Sequence, residues 1–221
     1  MNLNRLAINF LGDSITEGIG TSSKEYTYHA VLERTANLKV ARNYGISTTR
    51  YALQKGTEQR PKDDYADVNS FCERYDSMED ADIVVVFGGT NDYGHGDAPL
   101  GGFSDRTPDT FYGACHYLYS GLIKKYLGKT IVVMTPLHRI GETKNTGNAK
   151  QSGIGTLRDY VNIIREVAEY YSIPVLDLYA TSGLQPEIKE IQEIYIPDGV
   201  HPNDNGHAVI AHKLKLFLEA L

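Results

Sequence analysis

The chain has 221 residues, of which 41% are hydrophobic and 23% charged, a composition typical of a globular protein and not of a disordered or fibrous one. Its 22 basic and 28 acidic side chains give a net charge of −6, which argues against binding to nucleic acid or to an anionic membrane surface. A chain of this length fits one domain, and we expect residues 1–221 to form a single one.

Five short apolar runs predict the strands of a sheet. In chain order they cover residues 6–11, 38–42, 83–87, 130–134 and 173–178. The third run, IVVVF, is almost entirely β-branched, which is typical of a central strand buried on both faces.

Helix-like periodicity fills the intervals between these runs. Thr107-Pro108 resembles a helix N-cap followed by proline at the first helical position, and apolar residues then recur every three or four positions from Phe111 to Leu122. The same pattern covers residues 157–171 and 208–221, whereas residues 55–80 suggest only a connection with one helix near 65–75. Alternating strands and helices predict an α/β fold, with a parallel sheet covered on both faces.

The N-terminus and the cysteines bear on the cellular compartment. Residues 1–11 carry a single charge, Arg5, and no small-residue cleavage site, so we interpret them as a first strand and not as a signal peptide. No apolar run approaches the roughly 20 residues of a membrane-spanning helix. The two cysteines, Cys72 and Cys115, do not suggest a disulfide framework, and a cytoplasmic location is expected.

The turn after the first predicted strand, GDSITEG at residues 12–18, contains a candidate nucleophile. Ligands bind to parallel α/β sheets beyond the carboxyl ends of the strands, which is where Ser14 falls. Two other interpretations stay open at this point. The turn is also compatible with a phosphate cradle formed by Ser14, Thr16 and the hydroxyls of residues 21–23, and with an ordinary capped turn.

Two further turns supply hydrogen-bond donors. NYG at residues 43–45 follows the second strand, and the backbone N–H of Gly45 has no side chain in its way. GGTND at residues 88–92 follows the third strand, and the side-chain amide of Asn91 is a suitable donor to a developing oxyanion. Taken alone, each turn is better explained as a structural one.

The last turn, DGVHP at residues 198–202, places Asp198 three residues before His201. A carboxylate at that spacing can contact the imidazole, fix its tautomer and leave the other ring nitrogen free to accept a proton. Together the four turns supply a nucleophile, a base with an orienting acid, and oxyanion donors, which are the groups that acyl transfer requires. The other histidines show no spacing typical of a metal site.

In this order and spacing, the four blocks resemble those of the GDSL/SGNH hydrolase family, and they span essentially the whole chain. The resemblance implies a three-layer α/β/α sandwich of flavodoxin-like type with five parallel strands. It implies Ser14 as nucleophile, His201 as base and Asp198 as its partner. It further implies an oxyanion hole made by the backbone N–H groups of Ser14 and Gly45 and by the side chain of Asn91.

The expected activity is the hydrolysis of short acyl esters, with an acetylated sugar or another small polar alcohol favoured because no long apolar lid is visible. Asp13 is expected to support the nucleophile turn, and no metal or organic cofactor is required. Three alternatives remain: an acyltransferase on the same site, a flavodoxin-like nucleotide or flavin binder, and a non-catalytic carbohydrate-binding domain.

The expected partner is a small-molecule ester, and nothing in the sequence locates an interface for a homo-oligomer. Polar loops at 93–106 and 138–153 are either binding loops or surface insertions.

Overall fold

A parallel sheet forms the centre of the molecule in a computed structural model that describes residues 1–53, 70–145 and 154–221. Five strands were found in this part of the chain: β1 (Ala7–Gly12), β2 (Val40–Gly45), β3 (Ile83–Phe87), β4 (Thr130–Met134) and β5 (Val175–Leu176). Their order across the sheet is β2-β1-β3-β4-β5, and all neighbours are parallel.

Helices follow or connect the strands. Four are single turns that shape loops: α1 (Ser14–Glu17), α3 (Phe71–Arg74), α4 (Thr90–Gly94) and α7 (Leu178–Thr181). The longer ones are α2 (Tyr28–Ala36), α5 (Phe111–Lys125), α6 (Leu157–Tyr170), α8 (Lys189–Tyr195) and α9 (Asp204–Ala220). Short 3-10 turns cover Lys24–Tyr26 and Tyr75–Ser77.

The hydrophobic core lies on both faces of the sheet. Alternate side chains of β3 point in opposite directions, so Ile83, Val85 and Phe87 pack with α2 and α9, whereas Val84 and Val86 pack with α5 and α6. Because both faces are covered, every residue of β3 is buried, which explains its unbroken apolar run. The fold is therefore the three-layer α/β/α sandwich that the sequence predicted.

The boundaries of the predicted elements agree best where burial is complete. The third and fourth predicted strands are confirmed at both ends, whereas the second begins later, at Val40, and the fifth shortens to Val175–Leu176 at the edge of the sheet.

The predicted helix start at Thr107 is wrong. Thr110 is the N-cap of α5, because its Oγ1 accepts the Gly113 N–H at 3.1 Å directly before the first buried residue of the helix. Of the helix predicted near 65–75, residues 70–75 are described and include α3, and 65–69 lie outside the described residues.

The strand order reverses between β1 and β3. The chain moves from β1 outward to β2 and then returns to the other side of β1, which creates the switch point where such sheets open a crevice at their carboxyl edge. Ser14 follows β1 and Asn91 follows β3, so both border this crevice. Within the described parts of the chain, no helix is long and apolar enough to cross a bilayer.

Candidate active site

The turn that carries Ser14 is held by a capped helix end. Asp13 is the N-cap of α1 and accepts the Ile15 N–H at 3.0 Å, and Ser14 is the first residue of the helix. A side chain at Gly12 would collide with Thr16, since an added Cβ would lie 2.0 Å from its Oγ1. The turn thus has little freedom, and Ser14 keeps 6% of its surface exposed.

Three of the predicted residues meet at this turn. Ser14 Oγ lies 3.0 Å from His201 Nε2, and His201 Nδ1 lies 2.7 Å from Asp198 Oδ2. The other carboxylate oxygen of Asp198 accepts the backbone N–H groups of His201 at 2.7 Å and Val200 at 2.9 Å. Asp198 therefore fixes both the imidazole ring and the backbone that carries it.

The charge of Asp198 determines the tautomer of His201. Partial burial opposes that charge, but the hydrogen bonds from His201 and Val200 hold the pKa of Asp198 below its ordinary value. The carboxylate is therefore ionised at neutral pH and acts as an acceptor, so Nδ1 of the imidazole donates to it. In the neutral ring Nε2 then carries the lone pair, and the Ser14 hydroxyl donates to it.

Direct contacts join the first turn to the last, although they are far apart in the chain. Gly20 has a positive φ of 96°, and an added Cβ would lie 2.4 Å from the Pro202 carbonyl oxygen. Ser22 donates its N–H and its hydroxyl to the carboxylate of Asp204, at 2.8 and 2.6 Å. These contacts hold the Ser14 and His201 turns at a fixed separation.

Asn91 lies at the other border of the crevice, in the first turn of α4. Its side-chain Nδ2 donates to the Thr49 carbonyl oxygen at 3.1 Å, which uses one of the two N–H bonds of the amide. The neighbouring Asp92 accepts the N–H groups of Tyr51 and Ala52, each at 3.0 Å. Both residues therefore hold the segment that follows β2 against the end of β3.

Gly45 makes a different contact from the one that the sequence suggested. Its N–H donates to Asn43 Oδ1 at 2.7 Å, and its Cα packs against the backbone of Thr16 and Glu17. The amide that was expected to serve the oxyanion hole thus has a partner within its own turn.

Thr48 has a strained backbone in the same segment. Its φ is 67°, a left-handed conformation that is unfavourable for a β-branched residue. Its neighbours are fixed, since Ser47 donates its N–H to Glu17 at 2.6 Å and the Thr49 carbonyl accepts from Asn91. Among the described residues, the Thr48 N–H has no hydrogen-bond acceptor. Nothing in the residue type signals this conformation, so it cannot be predicted from the sequence.

Asp13 has an unusual electrostatic environment. Burial raises the pKa of Asp13 to about 7, the Ile15 N–H opposes this rise, the nearby Asp92 adds to it, and Arg74 and Arg139 oppose it. The carboxyl is 1% exposed. The group that caps α1, the helix that begins at Ser14, therefore changes charge near neutral pH.

Two arginines that no motif indicated complete the surroundings of the crevice. Arg74 donates to the Gly12 carbonyl oxygen at 2.6 Å and to Thr49 Oγ1 at 3.0 Å, which ties the end of β1 to the segment after β2. Arg139 donates to both the carbonyl oxygen and the hydroxyl of Thr90 at 3.1 Å. Tertiary packing brings both arginines to the site from distant segments, so sequence spacing gives no indication of them.

The two long loops that the sequence left unassigned contact each other. Tyr93 donates its hydroxyl to the carbonyl oxygens of Gly141 at 2.6 Å and Lys144 at 3.0 Å. Residues 146–153 of the second loop lie outside the described residues. In the part of the chain that is described, no group of three or more histidine, cysteine or acidic side chains is arranged to hold a metal ion.

A serine, a histidine and an aspartate linked at the carboxyl edge of an α/β/α sandwich form an arrangement suited to acyl hydrolysis. The chain belongs to the GDSL-like lipase/acylhydrolase family, whose model matches residues 10–209, and it is accordingly a hydrolase. No curated protein matches the chain.

Solved structures share the whole fold. A protein from Lactobacillus plantarum is 30% identical with a TM-score of 0.80, over 100% of this chain and 98% of that one. A possible lipase from Chitinophaga pinensis is 23% identical with a TM-score of 0.66, over 98% of this chain and 99% of that one. A two-domain esterase active on acetylated mannans is 18% identical with a TM-score of 0.66, over 98% of this chain and 49% of that one.

Proposed function

We propose that the protein is a serine ester hydrolase that cleaves short acyl esters of a small polar alcohol or sugar through an acyl-enzyme. The observation that carries this proposal is the continuous hydrogen-bonded path from Ser14 Oγ to His201, at 3.0 Å, and from His201 to Asp198, at 2.7 Å. A phosphate cradle or a flavin site requires neither contact.

The reaction follows from the protonation states of these groups. His201 Nε2 accepts the Ser14 proton as Oγ bonds to the ester carbonyl carbon, and Asp198 stabilises the resulting imidazolium. The tetrahedral intermediate collapses, the carbon–alkoxy bond breaks, and the alcohol leaves with the proton from His201. Water then gives a proton to His201 and attacks the acyl carbon. The bond between that carbon and Ser14 Oγ breaks, the acid leaves, and His201 returns the proton to Ser14 Oγ.

Negative charge develops on the carbonyl oxygen, and three groups are proposed to stabilise it. The Ser14 N–H, at the start of α1, has no partner within the helix, and Asn91 keeps one amide N–H beyond its bond to Thr49. The third donor was expected to be Gly45. Because that N–H already donates to Asn43, we assign the role to the N–H of Thr48, whose strained backbone leaves it without an acceptor among the described residues.

The substrate proposal rests on the polarity of the surroundings. Residues 138–145 of the second long loop are mostly polar, and residues 93–106 of the first are rich in glycine, which suits a hydroxylated alcohol better than a lipid chain. The structural neighbour that acts on acetylated mannans makes an acetyl ester of a sugar the first substrate to examine. The buried, unpaired thiols of Cys72 and Cys115 support a cytoplasmic location.

A fluorophosphonate probe tests the nucleophile. We expect one covalent adduct, located on Ser14 by mass spectrometry, and a rapid initial burst of p-nitrophenol from p-nitrophenyl acetate. Ser14→Ala is expected to lose both, and its circular dichroism spectrum should match that of the wild type because the substitution removes one hydroxyl, whose hydrogen-bond partner is His201.

The matched control is Ser104→Ala, which removes an exposed serine hydroxyl. Labelling and burst should stay at wild-type levels in this variant. A burst that persists in Ser14→Ala, or an adduct on another serine, would contradict the proposal.

A further inference from the structure

A second histidine–carboxylate pair lies in the loop after β4. His138 Nδ1 contacts both carboxylate oxygens of Glu142, at 2.8 and 3.0 Å, and the ring packs at a tilt of 35° against Tyr179, with centroids 4.0 Å apart. Glu142 is 7% exposed and also accepts the Arg139 N–H at 3.0 Å. The imidazole is thus held at one edge and on one face.

The remaining edge of this ring is available to a ligand. Burial opposes ionisation of Glu142, but hydrogen bonds from His138 and the Arg139 N–H hold its pKa below the ordinary value. The ionised carboxylate requires His138 Nδ1 to donate, so Nε2 of the neutral ring is an acceptor. The side chain is 21% exposed, and Nε2 has no hydrogen-bond partner among the described residues.

The segment that carries His138 lies against the proposed catalytic turns. The Ile140 N–H donates to the Gly199 carbonyl oxygen at 2.9 Å, and Ile140 covers the Cα of Gly199, between Asp198 and His201. On its other side, Arg139 donates to Thr90, which precedes Asn91. The segment is therefore packed against the turn that carries His201, which in the proposed reaction delivers a proton to the departing alcohol.

We propose that His138, held by Glu142 and Tyr179, forms the subsite for the alcohol portion of the substrate and accepts a hydrogen bond from a free hydroxyl of a polyol or sugar. This assignment rests on the proposed ester hydrolysis and adds a group that selects the alcohol. Because Glu142 and Tyr179 already fix the ring, His138 Nε2 can accept a hydrogen bond from a hydroxyl with little loss of side-chain entropy.

A purely structural role would predict a different outcome. Glu142 already holds the loop by accepting the Arg139 N–H, and that contact does not involve His138. Removing the imidazole should therefore affect hydroxylated substrates in particular, whereas a role in loop folding would affect all esters equally.

The experiment compares two esters. For wild type, His138→Ala and His138→Gln, kcat/KM is measured with mono-O-acetylglucose and with p-nitrophenyl acetate, which has no free hydroxyl on its leaving group. We expect the ratio of the two kcat/KM values to fall about 2- to 12-fold in His138→Ala, the effect of one hydrogen bond, mainly through KM. His138→Gln retains an acceptor and should recover part of the ratio. His212→Ala, which removes an exposed histidine of α9, is the matched control.

Binding provides a readout that does not require turnover. In the Ser14→Ala background, calorimetry should show mono-O-acetylglucose binding that weakens by a similar factor when His138→Ala is added. An unchanged ratio together with unchanged binding would overturn the subsite, as would an equal loss on both esters. Failure of the hydrolysis proposal is distinct, because it would appear as activity that survives in Ser14→Ala.

Discussion

Replacing Asp13 by asparagine should stabilise the protein increasingly as pH rises from about 4 to about 7. The carboxyl is 1% exposed, and burial raises its pKa from 3.8 to about 7. Asparagine has nearly the same shape as the protonated acid, and its Oδ1 can still accept the Ile15 N–H that caps α1. The substitution therefore removes the buried charge but keeps the cap.

The magnitude follows from the two pKa values. Between pH 3.8 and about 7 the unfolded chain releases the Asp13 proton while the folded protein keeps it, so the free energy of unfolding falls as pH rises through this window. The two values differ by about 3, and each pH unit corresponds to about 1.4 kcal/mol, so the full loss is on the order of 4 kcal/mol. Asp13→Asn should match the wild type near pH 4 and exceed it by up to this amount at pH 8.

Urea unfolding at pH 4, 5.5, 7 and 8 measures this difference. The comparison between variant and wild type cancels the other titrating groups, including the buried His29 and His207, whose pKa values are each lowered to about 4 by burial. Asp80→Asn, at an exposed carboxylate, is the control and should give no pH-dependent gain. A gain that is equal at pH 4 and pH 8, or no gain at all, would refute the reasoning that a buried charge limits stability.

Two further substitutions examine the proposed oxyanion donors. Asn91→Ala should lower kcat for p-nitrophenyl acetate by about 10²- to 10³-fold; turnover near the wild-type rate would remove this side chain from the hole. Thr48→Gly keeps the N–H and relieves a φ of 67°, so it should raise the free energy of unfolding in urea by roughly 1 kcal/mol with kcat preserved. A large loss of kcat in a folded Thr48→Gly protein would show that the threonine side chain, and not its N–H, is the functional group.

The sequence predicted the fold because its strongest signals come from burial on both faces of the sheet. β3 and β4 were predicted to the residue, since all of β3 and all but the first residue of β4 are buried. The edge strand β5 pairs with β4 on one side only. Only Val175 and Leu176 pair, whereas the apolar run that predicted this strand covers residues 173–178. The start of α5 was misplaced because Thr107 and Thr110 both have the chemistry of an N-cap, and only packing of Phe111 selects the second.

The site divides in a similar way. Ser14, His201 and Asp198 were predicted from the sequence because the proposed chemistry requires those residue types, and the structure brings them within hydrogen-bonding distance. Groups that are proposed to act through the backbone carry no such signature. The Gly45 N–H is occupied by Asn43, and the Thr48 N–H is set by a backbone φ of 67°. Both depend on backbone conformation, which the residue type does not reveal.

Asp13 connects the stability of the fold with the proposed chemistry. Burying Asp13 costs less free energy when its carboxyl is protonated than when it is charged. The charged carboxylate, however, lies near Arg74 and Arg139 and favours keeping both guanidinium groups in the interior. Those arginines hold the Gly12 and Thr90 carbonyl oxygens, each next to a turn that carries a proposed catalytic group. The buried carboxylate therefore reduces the free energy of unfolding at neutral pH while it helps to fix the two sides of the crevice relative to each other.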